Sequence, residues 1–475
     1  MAAVTGGPDP DDLRSALAAM DGDDRQAMQA AGRHAIAYRQ GLADAPAVPA
    51  RRPDAMRGQF GGDLPDTGEP AASVIDRLAA DCADGLHAHA SPRFFGYVVG
   101  GSMPVGVAAD TMVAAWGQNS ASTWESPAMA EIERTLCRWC LELLDLPRGS
   151  GVGVVPGATA ANMQAIMAAR DALLTRQGWD VEAKGLFGAP EIPVLIGDAA
   201  HSAAFAGLRY AGLGPGRAVR VAADDQGRMQ IDALRRALDD CASPPLVILQ
   251  AGQINTGAFD PFAEAVAAVH DRGGWAHVDG AFGLWLRAVP QLRDRLAGVD
   301  AADSWAVDLH KWLNAPLDAA LCILRDRGAL VSAMTARGAY LPDPGDGWEP
   351  SDSTIELSRR ARGVASYAIL RHLGAAGLRA MILRHCALAR YLGDCLRAHA
   401  KIEVLNDIDA NQVAISCGDD ETTAAVLQRV HARGKVYPSH GVLNGRKIIR
   451  VSIINYATDG ADIDLLAAEI VAALP

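Results

Sequence analysis

The chain has 475 residues, of which 50% are hydrophobic and 21% charged, and it carries a net charge of −12. This composition describes a well-buried globular protein and excludes a disordered or fibrous one, and the length predicts two or three domains rather than one compact core. The acidic balance and the lack of a dense basic cluster argue against a nucleic acid or other polyanion as partner.

Eight cysteines without regular spacing suit reduced thiols better than a disulfide framework. Cys137 and Cys140 form one CxxC inside a helical pattern and lack the second ligand pair that a structural zinc site needs. Residues 1–12 hold neither a basic n-region nor an apolar h-region. The weakly polar run over 97–109 is broken by glycine and Pro104 and is too short to cross a bilayer, so a cytoplasmic protein is expected.

Leu13, Leu17, Met20, Met28, Ile36 and Tyr38 recur at near-helical spacing and predict a helix over 11–45, ended by Pro46, Pro49 and Pro53. A second helix is expected over roughly 71–85. Such an arm would expose apolar surface unless it packs on a partner. Next, Ser91-Pro92-Arg93-Phe94-Phe95-Gly96-Tyr97-Val98-Val99 sets aromatics beside glycine, which suits core packing and a ligand-lining loop equally. Residues 149–162 are glycine-rich and run into a helix over 163–176. Free N–H groups and the positive dipole end make such a start a natural phosphate site, although the spacing is neither a P-loop nor GxGxxG.

Strands are then expected over 194–201, delivering His201 to a sheet edge, and over 245–250. The stretch Gly274-Trp275-Ala276-His277-Val278-Asp279-Gly280-Ala281 reads as a strand ending on an aspartate. The stretch Asp303-Ser304-Trp305-Ala306-Val307-Asp308-Leu309-His310-Lys311 reads as one delivering Lys311 to the carboxyl edge, where open α/β sheets place their ligands. The pairs His277-x-Asp279 and His87-x-His89 lack a third ligand, so no metal is expected. After a strand over 319–324, residues 334–347 have the Gly, Pro and Asp density of a functional loop and carry Tyr340. The cluster Ser358-Arg359-Arg360-Ala361-Arg362 suits a structural or carboxylate-binding role. Helices over 367–373 and 378–398, strands over 402–405, 412–416 and 447–454, and a helix over 462–474 compose a small α+β unit.

A lysine amine becomes a nucleophile when desolvated or converted to a Schiff base, and a buried strand-end carboxylate needs a cationic partner such as a protonated pyridine nitrogen. Together these are the requirements of pyridoxal phosphate (PLP) chemistry. The stretches His277-Val278-Asp279-Gly280-Ala281 and Asp308-Leu309-His310-Lys311-Trp312-Leu313-Asn314 resemble the group II PLP-dependent amino-acid decarboxylases, the family of aromatic-L-amino-acid and glutamate decarboxylases. Ser91-Pro92-Arg93-Phe94-Phe95-Gly96, Asp198-Ala199-Ala200-His201-Ser202 and Ser358-Arg359-Arg360-Ala361-Arg362 extend the resemblance over most of the chain.

The resemblance implies the type I PLP-dependent α/β fold, with a mainly parallel seven-stranded sheet, a helical N-terminal arm and a small C-terminal α+β domain. It divides the chain into a dimerisation arm (1–90), a large PLP-binding domain (91–360) and a small domain (361–475), and implies a homodimer whose active site is shared between subunits. In such an enzyme Lys311 holds PLP as a Schiff base, Asp279 pairs with the ring nitrogen, and His201 and Ala281 take opposite ring faces. Ala158 and Thr159 hold the phosphate, with His310 beside the cofactor. Tyr97, Val98 and Asn119 serve the substrate, and Tyr340 returns a proton after carbon dioxide leaves. Phenylalanine at that last position goes with aldehyde formation in the family. Two departures bear on the cofactor: Asp308, and Ile254, which stands where a threonine is usual and leaves Asn255 or Thr256 to compensate. The small Val98 and Val99 and the polar Asn119 suit a catechol or indole less than a smaller or polar side chain. Decarboxylation of an L-amino acid to its amine is the reaction implied. The same residues also serve an aminotransferase, a carbon–carbon lyase or a non-catalytic PLP-binding protein.

Overall fold

The computed structural model describes residues 10–335 and 348–475. Tyr340 therefore lies outside the described residues. The first strand, Phe94–Phe95 (β1), belongs to a smaller sheet, and the next seven build the larger one: Gly151–Val155 (β2), Val194–Gly197 (β3), Val219–Val221 (β4), Leu246–Gln250 (β5), Trp275–Asp279 (β6), Ser304–Asp308 (β7) and Ala320–Leu324 (β8). Their order is β2-β8-β7-β6-β5-β3-β4, with β8 antiparallel to both neighbours and the remaining pairs parallel. This is the mainly parallel seven-stranded sheet that the family resemblance implies.

Parallel strands are buried on both faces, and here the period of two sorts the side chains cleanly. Leu195, Val247, Leu249, Ala276, Val278, Trp305 and Val307 fill one core layer. Val194, Ile196, Leu246, Ile248, Trp275 and Ala306 fill the other, against the helix Ala158–Arg176. The alternation carries Trp275, His277 and Asp279 along one face of β6, and Ser304, Ala306 and Asp308 along the same face of β7. Polar residues on that face therefore meet the helix that opens at Ala158.

The smaller sheet is completed by Glu403–Val404 (β9), Gln412–Ser416 (β10), Tyr437–Leu443 (β11) and Arg446–Ser452 (β12), in the order β1-β11-β12-β10-β9. The sequence pattern misses β11, because Pro438 and Gly441 interrupt it. β1 stands in the stretch read as the start of the large domain, yet it pairs in parallel with β11. The backbone then crosses from the small sheet to the end of β7, where Gly100 N–H donates to His310 O at 3.2 Å. That approach requires glycine, since a Cβ on Gly100 would stand 2.3 Å from Lys311 O. The preceding Tyr97 and Val98 both have φ of 56°, a left-handed conformation that strains a β-branched valine.

The N-terminal helices Pro10–Gly41 and Ala71–Ala83 pack on each other, tied by Asp23 Oδ2, which accepts from Ala71 N–H at 2.6 Å. They leave Met28, Ile36, Val74 and Leu78 exposed. A short helix at Pro53–Phe60 intervenes that the sequence pattern does not show. The long helix Gly363–Arg397 breaks at Gly374 (φ 61°, ψ 176°), between the two segments expected for it.

Arg359 and Glu133 form a bidentate pair at 2.9 and 2.6 Å, with side chains 0% and 3% exposed. Removing one member leaves a buried uncompensated charge. Arg359→Leu is expected to lower the unfolding free energy by about 3 kcal/mol in urea denaturation; a change within about 0.5 kcal/mol would show the pair to be dispensable.

Candidate active site

At the carboxyl ends of the central strands lies a cavity of about 270 Å³, lined by His201, Ile254, Asp279, Ala281, Asp308, His310 and Lys311, with Gly157, Ala158 and Thr159 at the start of the helix Ala158–Arg176. Parallel topology gathers these side chains from strands far apart in sequence. Lys311 Nζ stands 3.1 Å from Asp308 Oδ2. Asp308 Oδ1 accepts from Ala158 N–H at 2.6 Å, so one buried carboxylate joins the helix start to the lysine.

Asp279 is 6% exposed. Its Oδ1 accepts from Ala281 N–H at 3.2 Å and its Oδ2 from Asn162 Nδ2 at 3.0 Å. His201 caps the helix Ser202–Tyr210, and its Nδ1 accepts from Ala203 N–H at 3.2 Å. The neutral ring therefore carries its proton on Nε2. Burial lowers the His201 pKa, with Asp279 acting in the opposite direction and Lys311 and Arg450 reinforcing the fall. His310 Nδ1 bonds to the Ala319 carbonyl at 2.9 Å, and burial lowers its pKa too.

The residues expected at the cofactor thus come together, and those expected at the substrate are more dispersed. Tyr97 is 46% exposed, with its hydroxyl 2.9 Å from that of Tyr437. Val98 is fully buried in the main core. Asn119 lies away from the cavity, and its side chain is engaged within its own chain. Nδ2 donates to Glu125 at 2.8 Å and Oδ1 accepts from Arg359 N–H at 3.0 Å. Ile254 reaches the cavity wall, whereas Asn255 and Thr256 do not compensate for it: Asn255 Nδ2 donates to Val442 O and the Thr256 hydroxyl donates to Gln226 O.

Two polar residues near the site go unnoticed at the level of sequence. Arg450 is 8% exposed, donates through Nε to Ser439 Oγ at 3.2 Å, and its charge reaches His201. An arginine inside the apolar run Ile448-Ile449-Arg450-Val451 is a readable signal of a functional cation. Asn162, which holds Asp279, sits in the first turns of its helix and shows no such contrast.

The pyridoxal-dependent decarboxylase conserved domain matches residues 53–417. This chain belongs to that family. Rice (Oryza sativa subsp. japonica) tryptophan decarboxylase 1 is 28% identical over 452 residues, covering 88% of this chain and 87% of the relative. Petunia hybrida phenylacetaldehyde synthase is 26% identical over 443 residues, covering 85% of each. The crystal structure of Oryza sativa TDC with PLP and tryptamine superposes with a TM-score of 0.87 over 99% of both chains, at 23% identity. The fold is thus the type I PLP fold, and the protein is a PLP-dependent amino-acid decarboxylase.

The cavity fits that cofactor. The helix Ala158–Arg176 starts without a side-chain cap from Gly157. With the Ala158 amide on Asp308, the amides of Thr159 and Ala160, beyond the reach of any helical carbonyl, remain for a phosphate. An amine and a donor-held carboxylate share the same cavity wall, as an aldehyde and a pyridine nitrogen require.

Trp312, next to Lys311, donates from Nε1 to His385 Nδ1 at 3.0 Å, and His385 Nε2–H donates to Asn455 O at 2.9 Å. Both ring nitrogens are committed, and burial pushes the His385 pKa down to about 3. The unfolded chain takes up this proton below about pH 6.5 while the fold refuses it, so stability falls as pH falls through that range. The stability advantage of wild type over His385→Gln is expected to shrink by about 1.4 kcal/mol between pH 7.5 and 5.5 in urea unfolding; a pH-independent difference would show that His385 titrates normally.

Proposed function

We propose that this enzyme converts an L-amino acid to the corresponding amine and carbon dioxide, with Lys311 as the residue that holds PLP covalently through Nζ. The observation that carries this reading is the convergence of Lys311, Asp279 and His201 around one cavity that is also lined by the start of the helix Ala158–Arg176. Bound PLP supplies an electron sink for the carbon that loses its carboxylate.

The chain's own residues then have separate tasks. Ala158, Thr159 and His310 belong to the phosphate end, where the helix dipole favours an anion. Asp279 presents its carboxylate to the ring nitrogen, and Ala281 and His201 bound the ring's two faces. His201 Nε2–H offers a donor to the substrate carboxylate, and the buried Arg450 adds positive charge that reaches His201. Tyr97 and Val98 are assigned the substrate side of the site, whereas the Asn119 side chain is already committed to Glu125 and Arg359. Tyr340 is assigned the return of a proton to the substrate carbon.

The same reading includes a homodimer with a shared active site, in which the exposed Met28, Ile36, Val74 and Leu78 of the N-terminal arm are covered by the second subunit. A cytoplasmic setting goes with it, supported by eight unpaired cysteines.

Turnover of a panel of aromatic, acidic and small polar L-amino acids, followed by carbon dioxide release and mass spectrometry of the product, tests the reading. At least one member is expected to give amine and carbon dioxide in equal amounts, and Tyr340→Phe is expected to divert product from amine to aldehyde. A keto acid formed without carbon dioxide, or no turnover of any member, would contradict it. In solution the assembly is expected at twice the 49.8 kDa chain mass by light scattering; a particle of the chain mass alone would remove the shared site.

A further inference from the structure

Behind Asp279, on the side away from the cavity, runs a buried line of polar groups that the reaction itself does not use. Trp275 Nε1 lies 2.9 Å from Ser304 Oγ, which lies 2.9 Å from His277 Nδ1. His277 Nε2 is 2.9 Å from Asn162 Oδ1, and Asn162 Nδ2 is 3.0 Å from Asp279 Oδ2. Ser304, His277 and Asn162 are each 0% exposed, and none of them lines the cavity.

The two ends of this line set its direction. Indole N–H is a donor only, and a carboxylate accepts only. Trp275 must therefore donate to Ser304, whose hydroxyl proton turns to His277 Nδ1. His277 Nε2–H then donates to Asn162 Oδ1, which leaves the Asn162 amide N–H for Asp279. Reversing the middle would set Asn162 Oδ1 against Asp279 Oδ2 with no proton between two acceptors. Burial keeps the His277 ring neutral, with its pKa near 3, so one nitrogen donates and the other accepts. Chains of this kind polarise one another in a low-dielectric interior.

We propose that Asn162, His277 and Ser304 are positioning residues that act through Asp279: their one-way hydrogen-bond chain locks its carboxylate in the orientation that receives the cofactor's ring N–H. The proposal rests on the reading that Asp279 faces the ring nitrogen. With Oδ1 held by Ala281 N–H and Oδ2 by Asn162, rotation of the carboxylate would break two hydrogen bonds at once. What remains free on its oxygens is directed to the cavity. A relay that only filled space would be indifferent to what the cofactor carries at that ring position.

The test compares equilibrium binding of PLP with that of its 1-deaza analogue, which keeps the aldehyde and phosphate and replaces the ring nitrogen by CH. Full-length protein freed of cofactor is used, and the ratio of the two dissociation constants is the readout. Wild type is expected to prefer PLP. Asn162→Leu, close in volume, is expected to lower that preference about tenfold, the size of one lost charge-assisted hydrogen bond, while the affinity for the analogue stays near wild type. Ser304→Ala, a smaller change further along the chain, is expected to lower it in the same direction, and His277→Gln, which keeps a donor towards Asn162, to preserve it better than His277→Leu.

Asp279→Ala separates the two levels of the argument. Loss of the preference in Asp279→Ala with wild-type preference in Asn162→Leu and Ser304→Ala would overturn the relay and leave the role of Asp279 intact. Unchanged preference in Asp279→Ala would overturn the underlying reading. Equal loss of affinity for PLP and analogue in Asn162→Leu and Ser304→Ala would show a structural role and also overturn the proposal.

Discussion

Two buried carboxylates stand at the ends of adjacent parallel strands, Asp279 closing β6 and Asp308 closing β7, and the site is organised by what each needs in order to be there. A carboxylate taken out of water is tolerable only where donors or cations meet it. Asp308 is met by the first amide of a helix and by Lys311, and Asp279 by a backbone amide and Asn162. Both solutions draw on the helix Ala158–Arg176. Its start serves Asp308, and its second turn serves Asp279. A shift of the helix along its axis would cost each carboxylate one of its donors.

The chain just after the lysine is tied to Gly101 and to the segment that follows β12. Asn314, fully buried three residues after Lys311, accepts on Oδ1 from Gly101 and Tyr456 and donates through Nδ2 to Trp312 O and Ile454 O. His385 joins Trp312 to Asn455 in the same region. The strained passage through Tyr97 and Val98 sits between these anchors, and its strain is offset by the contacts on either side of Gly100. Such over-determination holds the backbone around Lys311 in place before any ligand arrives. Electrostatic and positional preorganisation of this kind is where enzymes gain most of their rate.

Much of this was legible in the sequence, for identifiable reasons. The central strands β5 to β7 are continuous apolar runs closed by polar residues, so β6 and β7 announce both themselves and Asp279 and Lys311. By contrast, β2 lies in the stretch read as a glycine-rich loop, and the short Val-Arg-Val of β4 has no such pattern. His201 is readable in the same way, at the end of an apolar run. The family resemblance supplied the remaining cofactor positions, among them Ala158 and Ala281, whose small side chains carry no chemical signal of their own. β11 was hidden by a proline and a glycine, and the pairing of β1 with it is a long-range contact that no local pattern encodes. Asn119 was assigned to the substrate by the family resemblance alone. Its partners, Glu125 and Arg359, are decided by tertiary packing. Asn162, His277 and Ser304 are ordinary residues in sequence, and their alignment depends on the register of β6 against β7, which places His277 opposite Ser304.

The central claim is that Lys311 carries the cofactor, and it is tested most directly by borohydride reduction of the PLP-loaded protein, proteolysis and mass spectrometry of the modified peptide. The account predicts a pyridoxyl group on Lys311. A protein that stays unmodified, or carries the group on another lysine, would contradict it and return Lys311 to the role of counter-ion for Asp308.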